Sequence, residues 1–172
     1  MRWKNDFLTA KLPEKENIST TRFCDTENAL EKWLDIVQYG LSEKRETEEY
    51  YDRLMVKWPC YSDDKCFFIT ENGVEVATIT VVCNYETKEG YIHMVACTPE
   101  CRGKGIGTFM NSLALYVLKA EGMETAYLTT DDWRIPAIKS YLRAGFAPDL
   151  STEDFQQRWS NIFAQLNAGK PD

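Results

Sequence analysis

YIHMVACTPECRGKGIGTFMNSLALYVLKAE, residues 91–121, decides how the surrounding chain is read. Tyr91 to Cys97 is β-prone and alternating, with Ile92, Val95 and Cys97 among small residues. Pro99 then ends the strand, because it has no N–H to give to a ladder. Next comes Arg102-Gly-Lys-Gly-Ile-Gly107, and beyond it Phe109, Leu113, Leu115, Tyr116, Val117 and Leu118 recur at helical spacing up to Gly122. The order is strand, glycine-rich turn, helix. Glycines at every second position let backbone turn tightly and approach a ligand that side chains would exclude. The unpaired amides of the helix's first turn carry roughly +0.5 of an elementary charge. Arg102 and Lys104 stand beside that terminus, so the stretch reads as a diphosphate-binding turn. A glycine-rich turn with another role is the competing reading.

Spacing narrows the choice of diphosphate. A dinucleotide fold needs G-x-G-x-x-G, and Gly103-x-Gly105-x-Gly107 is one residue short. A triphosphate loop needs G-x-x-x-x-G-K-[ST], and here Gly103-Lys104 is followed by glycine. The stretch resembles the R-x-x-G-x-G signature of the GNAT superfamily of N-acetyltransferases, as Arg102-x-x-Gly105-x-Gly107. The resemblance implies that Arg102, Gly103, Lys104, Gly105, Ile106, Gly107 and Thr108 hold the diphosphate of acetyl-CoA (coenzyme A). It also implies that the pantetheine arm pairs with the strand backbone at Val95, Ala96 and Cys97.

A second stretch supports the first. Ala126 to Thr130 reads as a strand, and Asp131-Asp132 can cap a helix in which Pro136 suits the first turn and which Gly145 ends. Ala137 and Tyr141 lie four apart on one helix face. Ala137, Tyr141, Gly145 and Phe146 resemble the family's N-x-x-A-x-x-x-Y-x-x-x-G-F motif at matching intervals. Arg134 stands where the family has Asn, so the amide contact to pantetheine is in question and a phosphate contact by Arg134 is the alternative.

Outward from these motifs, Ile18–Cys24 reads as a strand and residues 1–17 as an arm or an opening strand. Asp25 or Thr26 caps a helix to about Tyr39, with Leu30, Trp33, Leu34 and Val37 on one face. A second helix ends before Pro59, and the resemblance makes Tyr50, Tyr51, Trp58 and Tyr61 candidates for an acceptor pocket, against plain helix packing. Lys65–Thr70 and Val74–Asn84 flank Asn72-Gly73, a strong hairpin signal. Residues 152–167 form an amphipathic helix that packs either on the domain or on a second subunit, as in a homodimer. The resemblance implies the GNAT fold, in the α/β (α+β) class. Its central mixed, mostly antiparallel sheet is flanked by helices. Its fourth and fifth strands, here 91–97 and 126–130, splay apart.

The chain of 172 residues is read as one acetyltransferase domain, 1–172, with a core over about 18–150. A net charge of −7 argues against nucleic acid as partner, since no basic stripe is present to release counterions. No apolar run approaches the ~20 residues that span a bilayer, so no membrane partner is expected. Six cysteines without a C-x-x-C pair, and one histidine, argue against a zinc site, so no metal is expected. Free thiols suit a reducing cytoplasm.

The chemistry implied is acetyl transfer from acetyl-CoA by direct attack of an amine. Tyr141, protonated at neutral pH, can give a proton to the leaving thiolate, unless it is simply a packed core tyrosine. His93 has the titration range of a base, and arylalkylamine acetyltransferases of the superfamily carry His at the matching position. Strand parity puts its side chain on the side of Val95 and Cys97. A hydrogen-bonded strand histidine is the other reading, with Glu75 or a water chain as base. The acceptor expected is the primary amine of a small metabolite. The alternatives are a protein or peptide amine, or an acyl-CoA-binding module without turnover.

Overall fold

The computed structural model describes residues 1–3, 10–42 and 44–168. Among the described residues seven strands form one mixed sheet: β1 (Arg2–Trp3), β2 (Ile18–Arg22), β3 (Cys66–Glu71), β4 (Val74–Asn84), β5 (Glu89–Cys97), β6 (Thr125–Leu128) and β7 (Phe146–Ala147). The strand order is β2-β3-β4-β5-β6-β1-β7, antiparallel except for the parallel β5–β6 pair. The β3–β4 hairpin turns on Asn72 and Gly73, both at positive φ (53° and 82°), the backbone that a two-residue Asn-Gly turn uses. The opening residues join the sheet: Arg2 and Trp3 pair with both β6 and β7.

Helices cover both faces. On one lie α1 (Ala29–Val37) and α2 (Glu48–Tyr51), which runs on through a π-helical turn over Asp52–Val56. Trp33, Val37, Tyr51 and Met55 bury against Cys66, Phe68 and Ala96 there. On the other face α3 (Ile106–Ala120) packs Ile106, Phe109, Met110, Leu113 and Leu118 onto Ile79, Val81, Ile92 and Leu128. Each such side chain contributes roughly 1.5–3 kcal/mol by leaving water. A Schellman motif closes α3: Met123 N–H bonds the Leu118 carbonyl at 2.9 Å and Gly122 N–H that of Lys119 at 3.0 Å.

Beside α3 lies α4 (Ile135–Arg143), tied to it by Asn111 Nδ2 donating to Ser140 Oγ at 2.9 Å. The last helix, α5 (Glu153–Ala168), lays Trp159, Ile162 and Leu166 on Ile138 of α4, so its apolar face is covered by its own chain. Arg158 adds a bidentate pair with Asp132 at 2.8 and 2.9 Å. Among the described residues no helix is long and apolar enough to cross a membrane.

Strand β5 departs from regular alternation. Thr80 pairs with His93 and Thr78 with Ala96, so Ile79 alone opposes both Met94 and Val95. This is a β-bulge, with Met94 at φ 48°. The extra residue reverses parity beyond it. Val95 and Cys97 pack on the α3 side, while Met94 and Ala96 join the α1–α2 cluster. His93 contacts Trp58 and Leu54, on the α1–α2 side. The parity reading that put His93 on the side of Val95 and Cys97 is therefore corrected, because a bulge at Met94 adds one residue to the count.

Candidate active site

Three elements converge where β5 and β6 part. Their ladder runs from Glu89–Thr125 to Ile92–Leu128 and stops. From His93 to Cys97 the β5 edge that faced β6 carries no strand partner, while the β4 side stays paired as far as Ala77–Cys97. An unpaired edge is a ready acceptor for an extended polar chain.

Past β5, Pro99–Cys101 makes a 3-10 turn and leads into the glycine turn. Gly103 and Gly105 hold φ of 76° and 80°, left-handed backbone that L side chains rarely adopt. Gly105 is the N-cap of α3, and the first intrahelical bond runs from Phe109 N–H to the Gly105 carbonyl at 3.0 Å. The amides of Ile106, Gly107 and Thr108 precede that bond and so have no partner within the helix. Residues 102–105 and Thr108 are exposed, and Ile106 is buried beneath them. A Cβ on Gly107 would approach Ser140 Oγ to 3.4 Å, so glycine also lets α4 lie close. These residues suit the diphosphate of a nucleotide carrier: amides without a helical partner at the positive end of a 15-residue helix, in a turn whose glycines add no side chain of their own.

Tyr141 is buried to 7 % exposure, its ring edge-on to Phe146 at 6.2 Å. Burial pushes its phenol up to about 12; the Arg134 charge acts against that and Tyr91 with it. Arg134, at the start of α4, lies with Nε 2.9 Å from Asp131 Oδ2 and its guanidinium 4.7 Å from the Trp133 ring centroid. Its charge reaches both Tyr141 and Tyr50 of α2. Arg134 is thus held by Asp131 and Trp133 of its own loop.

His93 sits in an aromatic cluster, with Trp58 stacked over both it and Tyr91. Its ring stacks on Trp58 at 4.3 Å and lies 5.3 Å from Tyr91. Its Nε2 is 2.7 Å from the Leu54 carbonyl. A carbonyl only accepts, so the proton sits on Nε2 and Nδ1 is the basic nitrogen. Burial lowers the pKa of His93 below the ordinary value, the Leu54 bond opposing it, and the ring is neutral at pH 7. Tyr91 stands beside His93 on the same face of β5, its ring 5.3 Å from the imidazole and its hydroxyl 2.9 Å from Thr129 Oγ1.

The other sequence candidates divide. Trp58 reaches this group, whereas the Tyr51 and Tyr61 hydroxyls pair with each other at 2.6 Å and Tyr61 donates to Asp63 at 2.7 Å, away from it. Glu75 is raised by burial but drawn below its usual value by the Lys32 ammonium at 2.6 Å, which makes it a poor base. Burial pushes the Cys97 thiol up, with Arg102 opposing, so little of it is the nucleophilic thiolate. Among the described residues no group of three or more His, Cys, Asp and Glu is placed to hold a metal. Sequence reading missed Tyr91, the Leu54 carbonyl and Lys15, whose Nζ donates to the Lys104 carbonyl. The signal for the second was Pro59: lacking N–H, it cannot continue the π-type bonding onto Leu54.

Residues 28–146 match the Acetyltransferase (GNAT) family. A mycothiol acetyltransferase of Streptomyces griseus is 33% identical over 85 residues, 49% of this chain and 28% of that protein. The chain therefore matches well under half the length of that relative. N-alpha-acetyltransferase 30 of Schizosaccharomyces pombe is 30% identical over 116 residues, 64% of this chain and 73% of that one. Among solved structures, the ribosomal-protein-S18-alanine N-acetyltransferase from Escherichia coli superposes with a TM-score of 0.62 at 18% identity, over 77% of this chain and 79% of that one. That likeness speaks to the fold.

Proposed function

The chain belongs to the acetyltransferase (GNAT) family, and from that premise we propose that it acetylates the primary amine of a small metabolite at the expense of acetyl-CoA. The observation that carries the reading is the unpaired β5 edge over 93–97, which leads through Pro99–Cys101 into the glycine turn at the start of α3. Val95, Ala96 and Cys97 would hold the pantetheine, and Gly103 to Thr108 the diphosphate. Acetyl-CoA supplies an acetyl group already activated as a thioester. The remaining chemistry belongs to the chain. His93, neutral and fixed by Leu54, takes a proton from the acceptor ammonium at Nδ1. Tyr141 keeps its proton on Oη at neutral pH and presents it at the splay.

A small acceptor is favoured because Trp58 stacks over His93 and narrows the approach from the α1–α2 side. A net charge of −7 attracts cationic amines. Peptide amines are the second reading, favoured by the match to N-alpha-acetyltransferase 30 along most of that relative. We read residues 1–172 as one catalytic domain of a reducing cytoplasm, in keeping with six free cysteines.

Two measurements test this: calorimetric titration with acetyl-CoA, and release of free thiol from it with polyamines, arylalkylamines and short peptides. Binding with turnover of small amines is the expected result. Turnover of peptides alone would select the second reading. Binding without turnover would leave an acyl-CoA-binding module, and absence of binding would overturn the proposal.

A further inference from the structure

The two cations of the glycine turn are engaged elsewhere. Arg102 Nη2 donates to the Tyr39 carbonyl at 3.2 Å, at the end of α1. Lys104 Nζ lies 3.1 Å from Glu71 Oε2. The cation laid over the turn comes from 89 residues earlier: Lys15 Nζ donates to the Lys104 carbonyl. It would sit 3.7 Å from a Cβ at Gly105, the N-cap of α3.

Lys15 belongs to a strap along α3. The Ala10 carbonyl accepts from Lys119 in the helix's last turn at 3.2 Å. Lys11, Leu12 and Pro13 wall a cavity with Ser112 and Leu115. After Lys15 the chain is pinned into the sheet, with Ile18 N–H on the Lys15 carbonyl and Asn72 N–H on that of Asn17. The strap lies outside residues 28–146, so the family match does not speak for it. An ammonium has three donors, and a single carbonyl leaves two of them. Those two are exposed beside the free amides of Ile106 to Thr108.

We infer that Lys15 is a further phosphate-binding residue, whose ammonium pairs with a phosphate of the coenzyme A held at the 102–108 turn and so fastens the 10–17 strap along α3. The inference rests on the acetyl-CoA reading of that turn. Phosphate is the shared chemistry, and it has two sources in coenzyme A: the diphosphate and the 3′-phosphate.

Calorimetry with coenzyme A, dephospho-coenzyme A and pantetheine tests it on the full chain, comparing wild type, Lys15→Gln and Lys15→Arg. Gln can still donate to the Lys104 carbonyl, so the strap keeps its clasp while the charge is lost. Lys15→Gln is expected to weaken coenzyme A about tenfold or more, the ratio that a charge-assisted hydrogen bond represents. Lys15→Arg recovers most of it, and pantetheine shows no difference between the proteins. The same ratio with dephospho-coenzyme A assigns the contact to the diphosphate; a ratio near one assigns it to the 3′-phosphate. Equal affinity of wild type and Lys15→Gln for coenzyme A overturns the inference, as does an equal loss with pantetheine. A wild-type protein that binds no coenzyme A overturns the acetyl-CoA reading itself, and Lys15 with it.

Discussion

His93 Nε2 lies 2.7 Å from the carbonyl oxygen of Leu54, a carbonyl in the π-helical turn that Pro59, five residues on, cannot bond. One missing N–H in the helix thereby fixes the tautomer of a histidine on the sheet. The imidazole is a neutral base by construction, held in place before any substrate arrives.

That arrangement gives a pH dependence of known sign. Burial sets the folded pKa of His93 below the 6.5 of a free imidazole. An unfolded chain takes up the proton near 6.5, the folded one only at lower pH. The stability linked to this group is therefore fully present above pH 6.5 and lost as pH falls through the folded pKa. His93→Gln keeps an N–H for Leu54 but cannot titrate. Its melting temperature is expected to fall less than wild type between pH 7.5 and 5. Its turnover drops about 10²-fold, and the acid limb of the kcat/KM profile disappears. An unchanged acid limb in this variant would remove His93 as the base.

Tyr141 offers a cleaner separation of chemistry from packing. Its hydroxyl has no hydrogen-bond partner among the described residues, so Phe at 141 keeps the edge-on contact with Phe146 and leaves no orphaned partner. Tyr141→Phe is expected to melt within a degree or two of wild type and to bind acetyl-CoA equally. Turnover falls by about 10²-fold. Full turnover would reduce Tyr141 to a packing residue.

Much of this site was legible in the sequence because backbone demands dictate it locally. Gly103 and Gly105 take positive φ, Pro136 opens α4, and Gly145 closes it at φ 97°. The 91–97 strand, the 102–107 turn and Tyr141 therefore fall where spacing puts them. The features hidden from the sequence arise across the sheet. Met94 is no glycine, yet it holds φ 48° because Ile79 alone faces it and Val95. No residue type announces such a bulge, and it sends His93 to the opposite face from Val95. Lys15 was equally invisible, since its partner Lys104 lies 89 residues on. The first helix also starts later than its cap signal: Phe23–Asp25 forms a separate 3-10 turn, and Asn28 at φ 54° caps α1.

Gly105→Asp tests the turn itself. At φ 80° any L side chain is strained, which costs about 1–2 kcal/mol. A carboxylate there would also reach the Lys15 ammonium, 3.7 Å from the Cβ position, and place negative charge where phosphates are expected. Affinity for acetyl-CoA should fall tenfold or more below that of Gly105→Ala, which carries the strain without the charge. Calorimetry on the pair isolates the electrostatic part, and matching affinities would deny the turn a phosphate.

Gly90 sits in β5 just before the strands part, opposite Ala126 of β6 and beneath α3. A Cβ built on it would fall 2.2 Å from Leu118 Cδ2, and Leu118 is fully buried. The strand is held in place, because β5 is paired on both sides at this residue. Gly90→Ala is therefore expected to destabilise the protein by about 1–3 kcal/mol through overpacking, although alanine is the better strand residue on entropic grounds. Leu118→Ala alone costs about 2–5 kcal/mol as a cavity. The double variant should cost less than the sum of the two, since each change relieves the other, and a double-mutant cycle in urea measures the coupling. Additive costs would mean that Leu118 has another rotamer open to it and that the base of the splay is looser than this contact implies.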